Sequence, residues 1–197
     1  MSDRRDFVKA LGIGALGSLA LGAAAYAQSV PALNTGSGKK IRVGIIGAEN
    51  SHTIGFGEIF NKQKKFPGVE VVALWGETDE FAKNAAEQGA IPKIVKEQKD
   101  LFGLIDALIV DHRHAMHHVA AAAPFVQAGI PTFVDKPFAY RVQEAQYLLD
   151  LAEKHKTPIT CLSSAAFGPG MDDVARQVQA QKDKINSLIV TGPADPA

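Results

Sequence analysis

From Ile41 onward the chain alternates between short apolar runs and longer stretches whose apolar positions recur every three or four residues. The apolar runs are IRVGII (41–46), VEVVALW (69–75), DALIVD (106–111), PTFVD (131–135) and PITCLS (158–163), each bounded by turn-forming residues. Runs of this length read as strands, and their near-continuous apolar character predicts burial on both faces. Between them, TDEFAKNAAEQG (78–89), AMHHVAAAAPFVQAG (115–129) and RVQEAQYLLDLAEKHK (141–156) carry the helical period. Gly129 stands where the second of these helices should stop. PKIV (92–95) reads as a minor strand before a short helix through Leu101 and Phe102. Strands alternating with amphipathic helices predict an α/β fold, a doubly wound and mainly parallel sheet.

In such a sheet the chemistry gathers in the loops that follow the strands. The first loop lies in IRVGIIGAENSHTIGF (41–56), where an apolar strand passes through Gly47 into a helix. A strand, a glycine turn and a helix start aim backbone N–H groups and a positive helix end at a diphosphate. The dinucleotide fingerprint places three glycines there, for the tight turn, close phosphate approach and helix packing. Only Gly47 is in place. Glu49 and His52 stand at the other two positions, and Glu49 sets a negative charge beside the expected diphosphate. Asn50, Ser51 and His52 carry donors that offset this in part. Taken locally, Ser51 also reads as the cap of a helix starting near Thr53.

IVDHRHAMHHVA (109–120) sets His112, His114, His117 and His118 at the end of a strand and the first turns of a helix. Histidines in that place suit a ligand site. The plainer reading leaves His112 and His114 exposed in a loop and His118 on the helix surface. The spacing is also similar to the H-x-H-x-D-H zinc pattern of the metallo-β-lactamases, with one residue extra and Met116 near the place of the aspartate. On that reading the imidazoles and Asp111 would hold a metal. AGIPTFVDKPFAY (128–140) ends a strand in Asp135-Lys136-Pro137. A lysine at a strand's C-terminal end polarises a substrate oxygen or moves a proton, with Asp135 holding it. The alternative is a surface ion pair before a turn.

Composition narrows the partners. The 21 basic and 21 acidic residues cancel, so no long-range field recruits nucleic acid or an anionic membrane. The single cysteine, Cys161, excludes an internal disulfide framework and a thiolate metal cluster. Residues 1–27 read as a signal peptide: paired Arg4-Arg5, a Gly/Ala-rich apolar run, and Ala25-Tyr26-Ala27 as the cleavage site. The arginine pair followed by Asp6-Phe7-Val8-Lys9 resembles the twin-arginine signal, which exports folded proteins to the periplasm. No stable membrane span is expected once it is removed. Residues 28–40 read as a linker, 171–184 as a helix, and 185–197 as a strand that begins a second, truncated domain.

These segments together resemble the N-terminal half of the Gfo/Idh/MocA oxidoreductases, the group of glucose-fructose oxidoreductase and inositol dehydrogenase. IRVGIIGAENSH occupies the place of that family's V-G-I-I-G-x-G-x-x-G-x-x-H opening. DALIVDHRHAMHHVAAAAPFVQAGIPTFVDKPFA is similar to its T-P-N-x-x-H turn, A-G-K turn and E-K-P sequence. His114 falls on the asparagine of that turn, His117 on its histidine, and Asp135-Lys136-Pro137 on Glu-Lys-Pro. The resemblance implies a Rossmann domain over residues 41–184, in strand order 3-2-1-4-5-6, that binds NAD or NADP. The family's C-terminal α+β domain, with its catalytic histidine-aspartate pair, is expected to lie beyond the residues of this chain. Lys136 would stand near the nicotinamide and the substrate hydroxyl, with His112, His114 and His117 on the nicotinamide side. Gly76 takes the place of the usual ribose-binding acid, with Glu77 next to it. The implied function is oxidation or reduction of a sugar, polyol or related small hydroxy compound, and self-association is left open. Two rivals stand beside it: a non-catalytic exported binding protein with a degraded cofactor turn, favoured by Glu49, and a metal-dependent hydrolase built on the His112–His118 cluster. The leading reading assigns no metal.

Overall fold

The computed structural model describes residues 40–163, 170–181 and 184. The segments read from sequence as a signal peptide and a final strand after residue 185, and nearly all of the expected linker, lie outside the described residues. Five strands form one parallel sheet: β1 (Ile41–Ile46), β2 (Val69–Trp75), β3 (Ala107–Val110), β4 (Thr132–Val134) and β5 (Ile159–Thr160), in the order β2-β1-β3-β4-β5. The minor strand survives as a single parallel bridge from Ile94 to Leu74 on the outer side of β2. Counted with it, the order is the expected 3-2-1-4-5-6.

The helices are α1 (Ser51–Gly57), which widens into a π-helical turn over Glu58–Lys62, α2 (Asp79–Gly89), α3 (His118–Gln127), α4 (Val142–His155) and α5 (Met171–Ala180). Alternate strand residues sort the core into two layers, as burial on both faces requires. Val43, Ile45, Val71, Ile109 and Phe133 pack with Phe60, Ala82 and Ala85. Ile46, Leu108, Val110 and Val134 pack with Phe125, Val126, Leu148 and Leu151 on the opposite face. α1 and α2 meet through glycines, since a Cβ on Gly57 would lie 2.4 Å from the Gly89 carbonyl oxygen.

Local signals set the helix ends. Thr78 caps α2 by accepting from the Phe81 N–H, and Gly129, at φ 76°, follows α3 where the stop was expected. Two expectations are corrected. The cap of α1 is Asn50 rather than Ser51: its side chain accepts from the His52 N–H at 3.2 Å, and the helix begins at Ser51. The last strand is two residues, where six were expected. Among the described residues β5 pairs only with β4, so a partner on one side alone defines its length there. No helix among the described residues is long and apolar enough to cross a membrane.

Candidate functional site

The sequence's candidate residues fall in the loops and first helical turns at one edge of the sheet, where β1, β2, β3 and β4 end. Gly47 opens the first loop with φ 117°, and its N–H donates to the Trp75 carbonyl at 2.9 Å. The site demands glycine for a reason besides conformation. A Cβ there would sit 2.5 Å from the backbone carbon of Asp111, so the turn is pressed against the end of β3.

The next two amides are already taken. Glu77, just past β2, accepts from the N–H of Ala48 at 2.8 Å and of Glu49 at 3.1 Å through one carboxylate oxygen. Its other oxygen pairs with His112 Nδ1 at 2.8 Å. Burial alone would raise the Glu77 pKa, but the His112 hydrogen bond and the backbone donors outweigh it and hold the group at about 2. The glutamate that sequence placed near a ribose is thus also the clamp of the turn. The consequence for stability has a definite sign. Because the folded value lies below the ordinary 4.5, the clamp contributes fully above that pH and fades as pH falls from there towards 2. Glu77→Gln should cost about 2 kcal/mol at neutral pH, with the partial solvent exposure of the group allowed for. Urea denaturation of both forms should show that difference closing below pH 4.5; a pH-independent difference would contradict the clamp.

A second group of polar side chains lies under the start of α1. Asp111, fully buried, follows β3 directly. Asn50 Nδ2 donates to Asp111 Oδ1 at 2.9 Å and to Asp135 Oδ2 at 3.3 Å. His52 Nδ1 lies 3.0 Å from the same Asp135 oxygen. Thr53 Oγ1 is 2.9 Å from the Gly47 carbonyl oxygen and 2.6 Å from Asp111 Oδ2. One hydroxyl proton cannot serve two acceptors. A protonated Asp111 resolves the conflict by donating to Thr53, which donates to Gly47. Its ionisation agrees: burial pushes Asp111 up to about 8, with the charge of Asp135 adding to the rise and Thr53 and Lys136 opposing it. Asp111 and Thr53 thus support the turn from below, a role the sequence reading did not assign to either. The available signal was an aspartate closing an otherwise apolar strand.

Lys136 Nζ stands 3.8 Å from Asp135 Oδ2 with its side chain half exposed, so it reaches the mouth of the site from a buried anchor. Glu49 faces Arg113 Nη1 at 3.9 Å, which offsets its charge beside the turn. Ser51 is exposed on the first turn of α1. The histidines divide. His114 and His117 are exposed, whereas His112 and His118 are buried, which corrects the plainer reading of an exposed His112 and a surface His118. His118 Nδ1 lies 2.9 Å from the Pro137 carbonyl oxygen and Nε2 2.8 Å from the His112 carbonyl oxygen, a neutral ring donating to one of them. It ties the β3 and β4 loops together. With Glu77 on His112 and backbone carbonyls on His118, the four histidines do not converge on a shared point. The one group of ligand-type side chains that does converge among the described residues is His52, Asp111 and Asp135.

Beside Glu77 a cavity of about 400 Å³ opens, lined by Trp75, Glu77, Asp79, Ile94 and Lys96 among others. Its size and mixed lining fit the adenosine half of a dinucleotide. Its position, at the end of β2 on the sheet's ligand edge, is the one the doubly wound fold reserves for that half.

Sheet order, glycine turn and edge cavity together define a Rossmann-type nucleotide-binding domain. The Gfo/Idh/MocA family, described as an oxidoreductase family with an NAD-binding Rossmann fold, matches residues 41–162, and the chain belongs to it. No curated protein matches the chain. Among solved structures it is similar to a Gfo/Idh/MocA family oxidoreductase from Vibrio cholerae, at 26% identity and TM-score 0.56, over 72% of this chain and 44% of that one. A similar fold is seen in biliverdin reductase from Synechocystis sp. PCC 6803, in complex with biliverdin and NADP+ (19% identity, TM-score 0.60, 75% of this chain and 44% of that one). Scyllo-inositol dehydrogenase from Lactobacillus casei, with bound NAD(H) and scyllo-inositol, is a third (16%, TM-score 0.62, 73% and 42%). The chain spans less than half the length of each of these structures.

Proposed function

We propose that this chain forms the cofactor-binding part of an NAD-dependent oxidoreductase acting on a sugar, polyol or related hydroxy compound. The observation that carries the reading is convergence: the Gly47 turn, Glu77, His112 and the Asp135–Lys136 pair gather at one edge of the sheet in a chain of an NAD-binding family. In this reading Gly47 to His52 face the diphosphate, and Glu77 and Asp79 face the adenosine ribose. A 2′-phosphate would meet both carboxylates, so NAD is preferred to NADP. His112, His114 and His117 border the nicotinamide side. Bound there, the cofactor supplies the hydride-transfer chemistry.

The residues of the chain orient and polarise. Lys136 directs its ammonium at the substrate hydroxyl oxygen and stabilises the negative charge that grows there as the proton leaves. Asp135 fixes the lysine from behind. In a full-length version that also carries the substrate-binding part, Lys136→Ala should therefore leave NAD affinity within about twofold and lower turnover of a hydroxy substrate by roughly 10²-fold. Equal turnover by the two forms would remove Lys136 from the reaction.

A second reading has an observation in its favour. Glu77 occupies two turn amides and Glu49 adds negative charge beside them, which suits a binding protein that has given up the dinucleotide. Cofactor titration separates the two.

A further inference from the structure

We infer that His52, Asp111 and Asp135 form a divalent-cation site at the mouth of the glycine turn. Their ligand atoms lie within 4.8 Å of one another and come from three elements: α1, the end of β3 and the end of β4. Ligands held on three separate elements of a rigid sheet edge are fixed in place before any cation arrives. Both carboxylates are buried, at 0% and 4% exposure, so this is not the solvated acidic surface common on proteins. His52 opens the cluster to solvent, its side chain 41% exposed.

His52 Nδ1 is 3.0 Å from Asp135 Oδ2 and 3.8 Å from Asp111 Oδ1. Asn50 Nδ2, a neutral donor, stands between the two carboxylates. The nearest full positive charge, on Lys136, is 3.8 Å away and half exposed. A cation bound at Asp111 Oδ1 displaces the Asp111 proton to solvent, and Thr53 then donates to Oδ2 in place of the Gly47 carbonyl.

The same residues account for an oddity of sequence. His52 occupies the position of the fingerprint glycine that serves helix packing, and its side chain points at two buried aspartates. Two carboxylate oxygens and one imidazole suit Mn2+ or a similar borderline-hard ion, with open positions left for water or a ligand oxygen. The inference does not rest on cofactor binding, because all three ligands belong to the chain itself.

The test is titration of the untagged full chain with Mn2+ alone at roughly pH 8, since metal binding competes with protons, followed by calorimetry and by the loss of the free-ion spin-resonance signal. The expected result is one saturable Mn2+ per chain, weakened on the order of tenfold or more by His52→Ala and by Asp135→Asn. Asn50→Asp keeps the helix cap and adds an oxygen ligand, so it should tighten binding about tenfold. His114→Ala and His117→Ala should leave it unchanged. His52 is solvent-accessible, so its alanine form keeps the fold, which circular dichroism verifies. Absence of saturable binding would overturn the inference. So would Mn2+ affinity that ignores His52→Ala and Asp135→Asn but falls with His114→Ala or His117→Ala.

Discussion

Replacing Gly47 by alanine is expected to lower the free energy of unfolding by about 4 kcal/mol, a large share of a domain's total stability. Two costs combine. The backbone at φ 117° is one that side chains rarely adopt, and holding alanine there costs about 1–3 kcal/mol. The new Cβ would also lie 2.5 Å from the Asp111 carbon, 2.6 Å from its oxygen and 2.7 Å from the His112 nitrogen. These are backbone atoms of a strand end, and they cannot rotate away as a flexible side chain would. Either β3 shifts outward or the turn opens, and each disturbs the hydrogen bonds through Glu77, Asn50 and Thr53. The single tryptophan, Trp75, accepts the Gly47 N–H bond at its carbonyl, so its fluorescence reports the change during urea denaturation. A loss under about 1 kcal/mol would mean that the close approach of the two loops is not a constraint.

His118→Ala should cost nearly as much, again about 4 kcal/mol. The imidazole is fully buried, and its removal leaves a ring-sized void and takes away the ring nitrogens that lie 2.9 Å and 2.8 Å from the carbonyl oxygens of Pro137 and His112. Those carbonyls lie on the loops that carry His112 and Lys136, so the damage reaches the site as well as the core. His118→Phe separates the two contributions, because it keeps the volume and loses only the hydrogen bonding; about half the cost should remain. Wild-type stability in His118→Ala would show that the ring is not a tie.

The fold was largely legible because its signal is repeated. Five apolar runs separated by amphipathic helices leave little choice of architecture, and the glycine after α3 and threonine before α2 mark helix ends by chemistry that acts within a few residues. The site was legible in its members but not in its wiring. Glu77 was singled out as a neighbour of the ribose, yet nothing local says that it closes on the amides of Ala48 and Glu49, 29 and 28 residues away. That contact exists only because β1 and β2 are adjacent strands ending at the same edge. Asp135 and His52 meet across 83 residues for the same reason. The histidine run was legible as a group but not in its division, for the backbone turns His112 and His118 inward and leaves His114 and His117 exposed. Spacing in a loop does not fix direction, whereas alternation in a strand does.

The most direct measurement is calorimetric titration of the chain with NAD(H) and, separately, with NADP(H), after any co-purified nucleotide has been removed. Saturable binding of one NAD(H) per chain in the micromolar range, with NADP(H) at least about tenfold weaker, is the predicted result. A folded chain that binds neither nucleotide would contradict the cofactor-binding role and leave Glu77 as the permanent occupant of the turn.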